Sequence, residues 1–430
     1  MFFDGTGNNR ENDIPRGTDT NISRLFDLYK GKLGPDATKD TVGEMDGLPL
    51  YSTKFYKHGV GTSPGHENDN LEMATGAGGV SLIMEVFSDL EKFLDFFTDR
   101  EGPRIVDVFG FSRGAALARD FVNRVNERLS RQGVRVGFVG LFDTVSSFGI
   151  PGNDIDIRSD SPLLTPVLGG LAAAAAAGSF NFNLGPESAL KVVHLVAGNE
   201  YRSNFPLQSL RPGPGRMPPG NIEEIAVPGA HADVGGGYGP EVMMEYRRLK
   251  RREIHYRTVG PIRQWQEALL AQKTELENEA AGQGARLVYE GTQKNAVGEA
   301  VDIYWFVRER PIKPGLSNVY LHAMYNNAIE SGVPLLEQAE LNRLARSEPI
   351  RFGIDDELKN LFTNDLVTPR NEPQILNHYA HRSDIDWTNA DGLTEWLANR
   401  GGEPGERAVF YNEPENAIKP ARPAQKATMT

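Results

Sequence analysis

Gly110-Phe111-Ser112-Arg113-Gly114 lies where two different patterns of the chain meet. Before it, residues 105–109 form a short apolar run that is typical of a buried strand. After it, residues 115–122 place apolar side chains at helical spacing. A serine on so sharp a turn would have a strained backbone, and a β-carbon on either flanking glycine would collide with the adjoining strand or helix. The pattern therefore predicts a tight strand–turn–helix unit with Ser112 at its apex.

A G-x-S-x-G sequence between a strand and a helix is the pattern of the nucleophile elbow of α/β-hydrolases. In that setting, the hydroxyl of Ser112 is presented as a nucleophile at one edge of a sheet. The same five residues also fit a glycine-rich turn that carries an ordinary solvated serine. The rest of the sequence must therefore supply the partners that would activate the hydroxyl.

The composition excludes several other kinds of site. The chain of 430 residues is 39% apolar and 24% charged, which is typical of a soluble globular protein. A net charge of -12 argues against nucleic-acid binding, and the absence of cysteine excludes disulfides, thiolate zinc sites and cysteine nucleophiles. The residues after Met1 lack a basic segment followed by a long apolar one, so any export is expected to proceed without a signal peptide.

Strand and helix patterns alternate through the first half of the chain, which predicts a mostly parallel central sheet flanked by helices. Polar residues or glycine follow each expected strand, and in such sheets active sites lie at the carboxyl ends of the strands. The predicted fold is therefore an α/β-hydrolase whose functional edge is formed by these strand ends. The six expected strands are residues 2–3, 54–58, 105–109, 134–142, 190–196 and 222–227.

Changes in composition divide the chain further. Residues 1–242 are expected to form the hydrolase core, and 143–190 include an alanine-rich run that fits either a lid on lipid or a packed helix. Residues 315–402 resume an apolar helical pattern and are expected to return to the core. Residues 403–430 are rich in Pro, Glu, Gly and Lys, which predicts an extended or disordered tail.

Residues 243–314 differ from both neighbours because they are rich in Arg, Lys, Glu and Gln. Their pattern predicts a helix at 262–280 and strands at 285–289 and 301–307. We interpret this segment as a mixed α/β insertion.

Ser112 requires an imidazole to accept its proton and a carboxylate to orient that imidazole. In α/β-hydrolases these groups follow the nucleophile in the order Asp or Glu, then His. Asp143 ends the strand after the Ser112 helix, and His231 lies in the loop after the last expected core strand. His378 and His381 also follow Asp143 and are alternative bases. We predict a triad of Ser112, Asp143 and His231.

Two backbone N–H groups should stabilise the negative charge that develops on the substrate oxygen. One is expected from Arg113, directly after the nucleophile, and the other from Gly5 or Thr6 in the loop after the first strand. The nearby Asp4 is expected to hold this loop in place by hydrogen bonds.

No motif indicates a metal or a cofactor. Asp154, Asp156 and Asp160 alternate as oxygen ligands of calcium can, but this run lacks the glycine and the glutamate of an EF-hand loop. We predict a solvated acidic loop there. Residues 76–79 are glycine-rich but lack a preceding strand and a P-loop lysine, so nucleotide binding is not expected.

Five motifs occur together and in order along the chain. In combination they resemble the catalytic domain of the class 1 type VI secretion lipase effectors, within a wider group of α/β-hydrolases. The similarity covers residues 1 to about 240 and continues weakly near 318–335. The motifs are Phe2-Phe3-Asp4-Gly5-Thr6-Gly7-Asn8-Asn9, Gly59-Val60-Gly61-Thr62, Gly110-Phe111-Ser112-Arg113-Gly114-Ala115, Phe142-Asp143-Thr144-Val145 and Pro228-Gly229-Ala230-His231-Ala232-Asp233-Val234-Gly235-Gly236-Gly237-Tyr238.

The resemblance implies a phospholipase of A1 or A2 type with membrane glycerophospholipids as its substrate. It also implies synthesis in a bacterial cytoplasm and delivery, without a signal peptide, into the periplasm of rival cells. A component of the type VI secretion apparatus would carry the protein, and a cognate immunity protein would block it. By matching motif, the resemblance places Ser112, Asp143 and His231 in the triad.

Two other functions fit the same residues. One is a soluble carboxylesterase or lipase with a closed acyl pocket. The other is a non-catalytic binding protein of hydrolase fold that docks through residues 243–314. Activity on micellar phospholipid separates the first alternative from a phospholipase, and Ser112→Ala separates the second from both enzymes.

Overall fold

The computed structural model describes residues 1–33, 41–45, 47–60, 62, 79–97, 102–146, 180–202, 205–255, 262–295, 299–383 and 407–421. The chain divides into two compact units: Met1–Pro240 with Pro314–Thr430, and Glu241–Lys313. The alanine-rich run 163–178, considered above as a lid, lies outside the described residues, and so do Asp154, Asp156 and Asp160.

The first unit is built around a parallel sheet. Its strands are numbered here in chain order with all others of the protein: β1 (Phe2–Phe3), β2 (Lys32–Leu33), β3 (Gly43–Met45), β4 (Leu48–Leu50), β5 (Thr53–Lys54), β6 (Tyr56–Lys57), β7 (Arg104–Phe111), β8 (Val134–Phe142), β9 (Lys191–Ala197), β10 (Leu207–Gln208), β11 (Ile222–Val227), β12 (Met243–His255), β13 (Arg286–Lys294), β14 (Ala300–Ile312) and β15 (Val409–Phe410). Six of them form the central sheet in the spatial order β11-β9-β8-β7-β1-β6, with parallel pairing throughout. The six strands expected from the sequence are therefore confirmed.

The helices flank this sheet or belong to the second unit. They are α1 (Arg10–Asp13), α2 (Asn21–Leu28), α3 (Gly79–Asp95), α4 (Arg113–Arg128), α5 (His231–Gly235), α6 (Ile262–Gly282), α7 (Leu316–Glu330), α8 (Gln338–Ser347), α9 (Pro349–Phe352), α10 (Asp356–Lys359) and α11 (Glu372–His378). Short 3₁₀ turns lie at Ile14–Arg16, Ser130–Gln132 and Pro414–Asn416. No helix in the described part of the chain has the length and apolar character that a bilayer span requires.

The central sheet is buried on both faces. Successive side chains of a strand point to opposite faces, so Phe2 belongs to one core cluster and Phe3 to the other. Helices α2 and α7 contribute apolar side chains to the cluster of Phe2, and α3 and α4 contribute to that of Phe3. Apolar residues of α8 to α11 also join the Phe2 cluster, so the described part of 315–402 packs on the core.

The turn between β7 and α4 consists of Ser112 alone. A β-carbon on Gly110 would lie 2.6 Å from Cα of Ala115, at the start of the helix. A β-carbon on Gly114 would lie 2.3 Å from the carbonyl oxygen of Asp4, which follows β1. Both glycines are therefore required by close backbone approaches, as the motif predicts.

The second unit contains a three-stranded antiparallel sheet in the order β12-β14-β13, together with α6. The sequence predicts α6 and the two later strands but not β12. That strand carries a basic run from Arg247 to Arg252, whose charge obscures the alternation of a strand. The structure shows how part of this charge is balanced: Glu279 of α6 accepts ion pairs from Lys250 and Arg252.

The end of the chain follows a defined path where it is described. Strand β15 pairs in parallel with β10, and the 3₁₀ turn at Pro414–Asn416 comes after it. Residues 407–421 are thus an extended segment bonded to the core, within the stretch for which the sequence predicts an extended or disordered tail. We call residues 407–421 the C-terminal strap.

Substituting Gly114 by alanine should destabilise the first unit, because the added methyl group would overlap a backbone carbonyl that cannot move independently of β1. We expect a loss of at least about 2 kcal/mol in the free energy of unfolding, measured by urea denaturation. Gly220→Ala is the matched control, since nothing lies within 4 Å of a β-carbon there. Equal stability of the two variants would contradict the close approach of α4 to β1.

Candidate active site

Ser112 has a strained backbone. Its φ of 58° is in a region that non-glycine residues rarely adopt, at a typical cost of about 1–3 kcal/mol. Neighbouring backbone groups hold it there: its N–H donates to the carbonyl of Phe142 at 3.1 Å, and its carbonyl accepts from the N–H of Val145 at 3.2 Å. These bonds tie the turn after β7 to the segment after β8, on both sides of Asp143.

Asp143 is fully buried directly after β8 and also has a positive φ, of 38°. Each of its carboxylate oxygens accepts two hydrogen bonds. Oδ1 accepts from the N–H of Ala197 at 3.0 Å and from Nη1 of Arg407 at 2.9 Å. Oδ2 accepts from Nδ1 of His231 at 2.6 Å and from Nη2 of Arg407 at 2.8 Å. The carboxylate is thereby fixed in position between an imidazole and a guanidinium group.

Burial alone would raise the pKa of Asp143, because a low-dielectric environment disfavours the charged form. The charge of Arg407, with the hydrogen bonds from His231 and Arg407, outweighs this effect and holds the pKa well below its usual range. Asp143 is therefore ionised at neutral pH and accepts, rather than donates, the proton on Nδ1 of His231.

His231 is the first residue of α5 and is buried. Its ring lies against Phe111, with the ring centroids 4.6 Å apart, and against Phe205, with the centroids 4.8 Å apart. Since Phe111 directly precedes Ser112, the imidazole lies at the carboxyl edge of the sheet beside the Ser112 turn. The ring is therefore held by Asp143 at one nitrogen and by two aromatic rings at its sides.

Burial lowers the pKa of His231 below its ordinary value, and this effect exceeds the opposing influence of the hydrogen bond and charge of Asp143. The imidazole is therefore neutral at pH 7. With its proton on Nδ1, its Nε2 has a free lone pair and is a proton acceptor.

A second buried acid, Glu200, supports the backbone of His231. It follows β9 and accepts the N–H of His231 at 3.1 Å through Oε2. Burial would raise the pKa of Glu200, but the charge and hydrogen bonds of Arg202 hold it at about 2. Glu200 and Arg202 were not predicted from the sequence, although they follow a core strand, as Asp143 does.

Behind Asp143, the fully buried His194 holds the next residue of the loop. Its Nε2 accepts the backbone N–H of Thr144 at 3.0 Å. Because a backbone N–H can only donate, the proton of His194 must be on Nδ1, which faces Oε2 of Glu224 at 3.1 Å. This chain of bonds fixes the turn that carries Asp143.

The loop after β1 was predicted to supply one N–H for the developing negative charge. The N–H of Gly5 donates instead to Oδ1 of Asp4 at 2.7 Å, so Asp4 holds this loop as expected. The N–H of Thr6 has no hydrogen bond to any described residue. Of the two, Thr6 therefore fits the predicted role better, and its assignment with Arg113, the first residue of α4, stays a prediction.

The alternative bases lie in different settings. His381 is buried and bonded through Nδ1 to Oδ1 of Asp233 at 2.7 Å, and its ring stacks on Tyr238. His378 is exposed at the end of α11. Neither is hydrogen-bonded to Asp143, whereas His231 is. Over the described part of the chain, no group of three or more His, Asp or Glu side chains is arranged to hold a metal ion.

Comparisons with known proteins agree with the motifs. The family profile described as T6SS, Phospholipase effector Tle1-like, catalytic domain matches residues 1–128 and 120–252. Among solved structures, one described as the Tle1 effector bound to the VgrG spike from the Type 6 secretion system is similar, with a TM-score of 0.56 and 23% identity over 95% of this chain and 92% of that chain. That likeness shows a shared fold. No curated protein matches the chain.

We expect His231 to remain neutral at pH 7, with its proton on Nδ1, because it is buried beside an ionised carboxylate. Long-range ¹H–¹⁵N correlation spectra of histidine-labelled protein, recorded from pH 5 to 8, report both the tautomer and the titration. His231→Gln identifies the signal. The midpoint should lie below the ordinary value of about 6.5. A higher midpoint, or a proton on Nε2, would contradict this arrangement.

Proposed function

Because the chain belongs to the Tle1-like family of type VI secretion phospholipase effectors, we propose that it hydrolyses acyl esters of membrane glycerophospholipids with Ser112 as nucleophile. His231 is the general base and Asp143 orients it. The observation that carries this proposal is the 2.6 Å bond between Nδ1 of His231 and Oδ2 of Asp143, beside the strained turn of Ser112. Serine hydrolysis requires an oriented, neutral imidazole within reach of the serine hydroxyl, and the contact of His231 with Phe111, the residue before Ser112, supports this.

The proposed reaction has two halves. In the first, Nε2 of His231 takes the proton of Ser112 as Oγ attacks the ester carbonyl carbon, and Asp143 stabilises the resulting imidazolium. When the tetrahedral intermediate collapses, the imidazolium protonates the leaving alkoxide, which departs as a lysophospholipid. In the second half, water is activated by the same imidazole, cleaves the acyl-enzyme and releases a fatty acid.

The negative oxygen of each tetrahedral intermediate requires preorganised donors. We propose the N–H groups of Arg113 and Thr6, which belong to the start of α4 and to the loop after β1. Loss of one such donor typically costs about 10²–10³-fold in rate, so the close approach of α4 to β1 would matter for catalysis as well as for stability.

Cleavage of the acyl ester, rather than of either phosphate ester, makes this activity a phospholipase A. We therefore propose an A1 or A2 activity, and the products distinguish the two.

Membership of the Tle1-like family also bears on how the protein is delivered. The similar solved structure is of an effector bound to a VgrG spike. We propose that this chain is likewise carried by the type VI apparatus of the bacterium that makes it into the periplasm of rival cells. A cognate immunity protein that covers the proposed site would protect the producing cell.

Vesicles of phosphatidylcholine with a different acyl chain at each position test this function. Wild-type protein should release one fatty acid and the matching lysophospholipid, identified by mass spectrometry. Ser112→Ala should lower the rate by several orders of magnitude, on the order of 10³-fold or more, because no other group replaces the nucleophile.

Ser347→Ala is the matched control, since this serine is exposed on α8, outside the proposed site, and the variant should retain the wild-type rate. Diacylglycerol or phosphatidic acid as product would contradict an acyl-ester hydrolase. Activity on short soluble esters without activity on vesicles would instead indicate the soluble carboxylesterase. Unchanged activity in Ser112→Ala would exclude the proposed nucleophile.

A further inference from the structure

The C-terminal strap contributes a residue, Arg407, to the proposed site. Arg407 is 264 positions after Asp143 in the sequence. It runs beside the segment around β10, where the N–H of Leu207 donates to the carbonyl of Ala408 at 2.8 Å. The N–H of Ser209 donates to the carbonyl of Phe410 at 2.9 Å. These ladder bonds fix the direction in which Arg407, at the start of the strap, enters the protein.

Further hydrogen bonds between the strap and the core anchor the rest of the strap. Asn412 is buried and bonded to both backbone groups of Leu184, donating through Nδ2 at 2.7 Å and accepting through Oδ1 at 3.0 Å. Further along, the N–H of Ile418 donates to Oδ1 of Asn123, a residue of α4, at 2.8 Å. The helix that begins after Ser112 thus also holds the strap.

Arg407, at the start of the strap, is hydrogen-bonded to Asp143. Its side chain is only 9% exposed, and Nη1 and Nη2 donate to the two carboxylate oxygens at 2.9 and 2.8 Å. Nε donates to the carbonyl of Phe205 at 2.7 Å, and Nη1 also donates to that of Ala197 at 3.1 Å. All three nitrogens of the planar guanidinium are hydrogen-bonded, so it fixes the plane of the carboxylate. A lysine ammonium could not do this.

This proposal rests on the proposed function: we propose that Arg407 is a positioning residue for the hydrolysis of the acyl ester. It fixes the Asp143 carboxylate so that Oδ2 faces Nδ1 of His231, and its charge offsets that of Asp143 beside the imidazole. The site is therefore complete only when the C-terminal strap is in place.

The two roles have separable consequences. Loss of the fork geometry releases the carboxylate and slows the reaction at every pH. The charges of Glu200 and Arg202, which also act on His231, stay unchanged. Loss of the Arg407 charge alone leaves the Asp143 charge unbalanced, which stabilises the imidazolium and raises the pKa of His231. Since the neutral imidazole is the active form, the acid limb of the kcat/KM profile should then move to higher pH.

The test uses the full chain on phosphatidylcholine vesicles. Arg407→Ala should lower kcat/KM by on the order of 10²-fold, because a small displacement of the orienting group misaligns the base. Its acid limb should move to higher pH, and guanidinium ion at low millimolar concentration should restore part of the rate. Arg407→Lys should remain slow but keep the wild-type acid limb, because it retains the charge without the fork.

Val409→Ala is the control on the same strap, since this residue is 37% exposed and is not among the hydrogen-bond donors to Asp143, and the variant should behave as wild type. The proposal is overturned if Arg407→Ala keeps the wild-type rate and pH profile. It is equally overturned if guanidinium restores nothing and the two Arg407 variants share one pH profile, which is the pattern of a merely structural role. Failure of the proposed function is a different result, in which Ser112→Ala remains active.

Discussion

The structure depends on keeping one buried carboxylate charged. Removing a carboxylate from water costs several kcal/mol unless its oxygens are bonded and its charge is offset. Asp143 meets both conditions with four hydrogen bonds, two of them from Arg407, one from His231 and one from the backbone of Ala197. The central sheet, α5 and the C-terminal strap each contribute a donor, so the environment of Asp143 is complete only when all three elements are in place.

Strain is concentrated next to that carboxylate. Ser112 and Asp143 both have positive φ, and they follow neighbouring parallel strands whose last residues, Phe111 and Phe142, are paired. Each such backbone conformation costs about 1–3 kcal/mol, so neither would persist without support from its surroundings. The bonds from Ser112 to the segment after β8, and from His194 to Thr144, hold both residues in place. The sheet thus offsets local strain at the point where the proposed catalytic groups lie.

Much of this architecture could be predicted from sequence because it is local. The six strands, the two glycines around Ser112 and the placement of Asp143 and His231 after strands all follow from patterns a few residues long. Arg407 could not be found in this way, because its partner is distant in sequence and its neighbours have the composition of a tail. The strand β12 was missed because its charges are balanced by α6, a tertiary effect. The N–H of Gly5 is taken up by Asp4, a side-chain rotamer that no spacing rule specifies.

The central claim is that the hydroxyl of Ser112 is made reactive by His231. A fluorophosphonate tests it directly, because an activated serine displaces fluoride and retains the phosphonyl group. After brief treatment at pH 7, peptide mass spectrometry should locate the adduct on Ser112, and His231→Gln should slow its formation by about 10²-fold or more. An adduct on another residue, or equal labelling of Ser112 in the variant, would contradict the account.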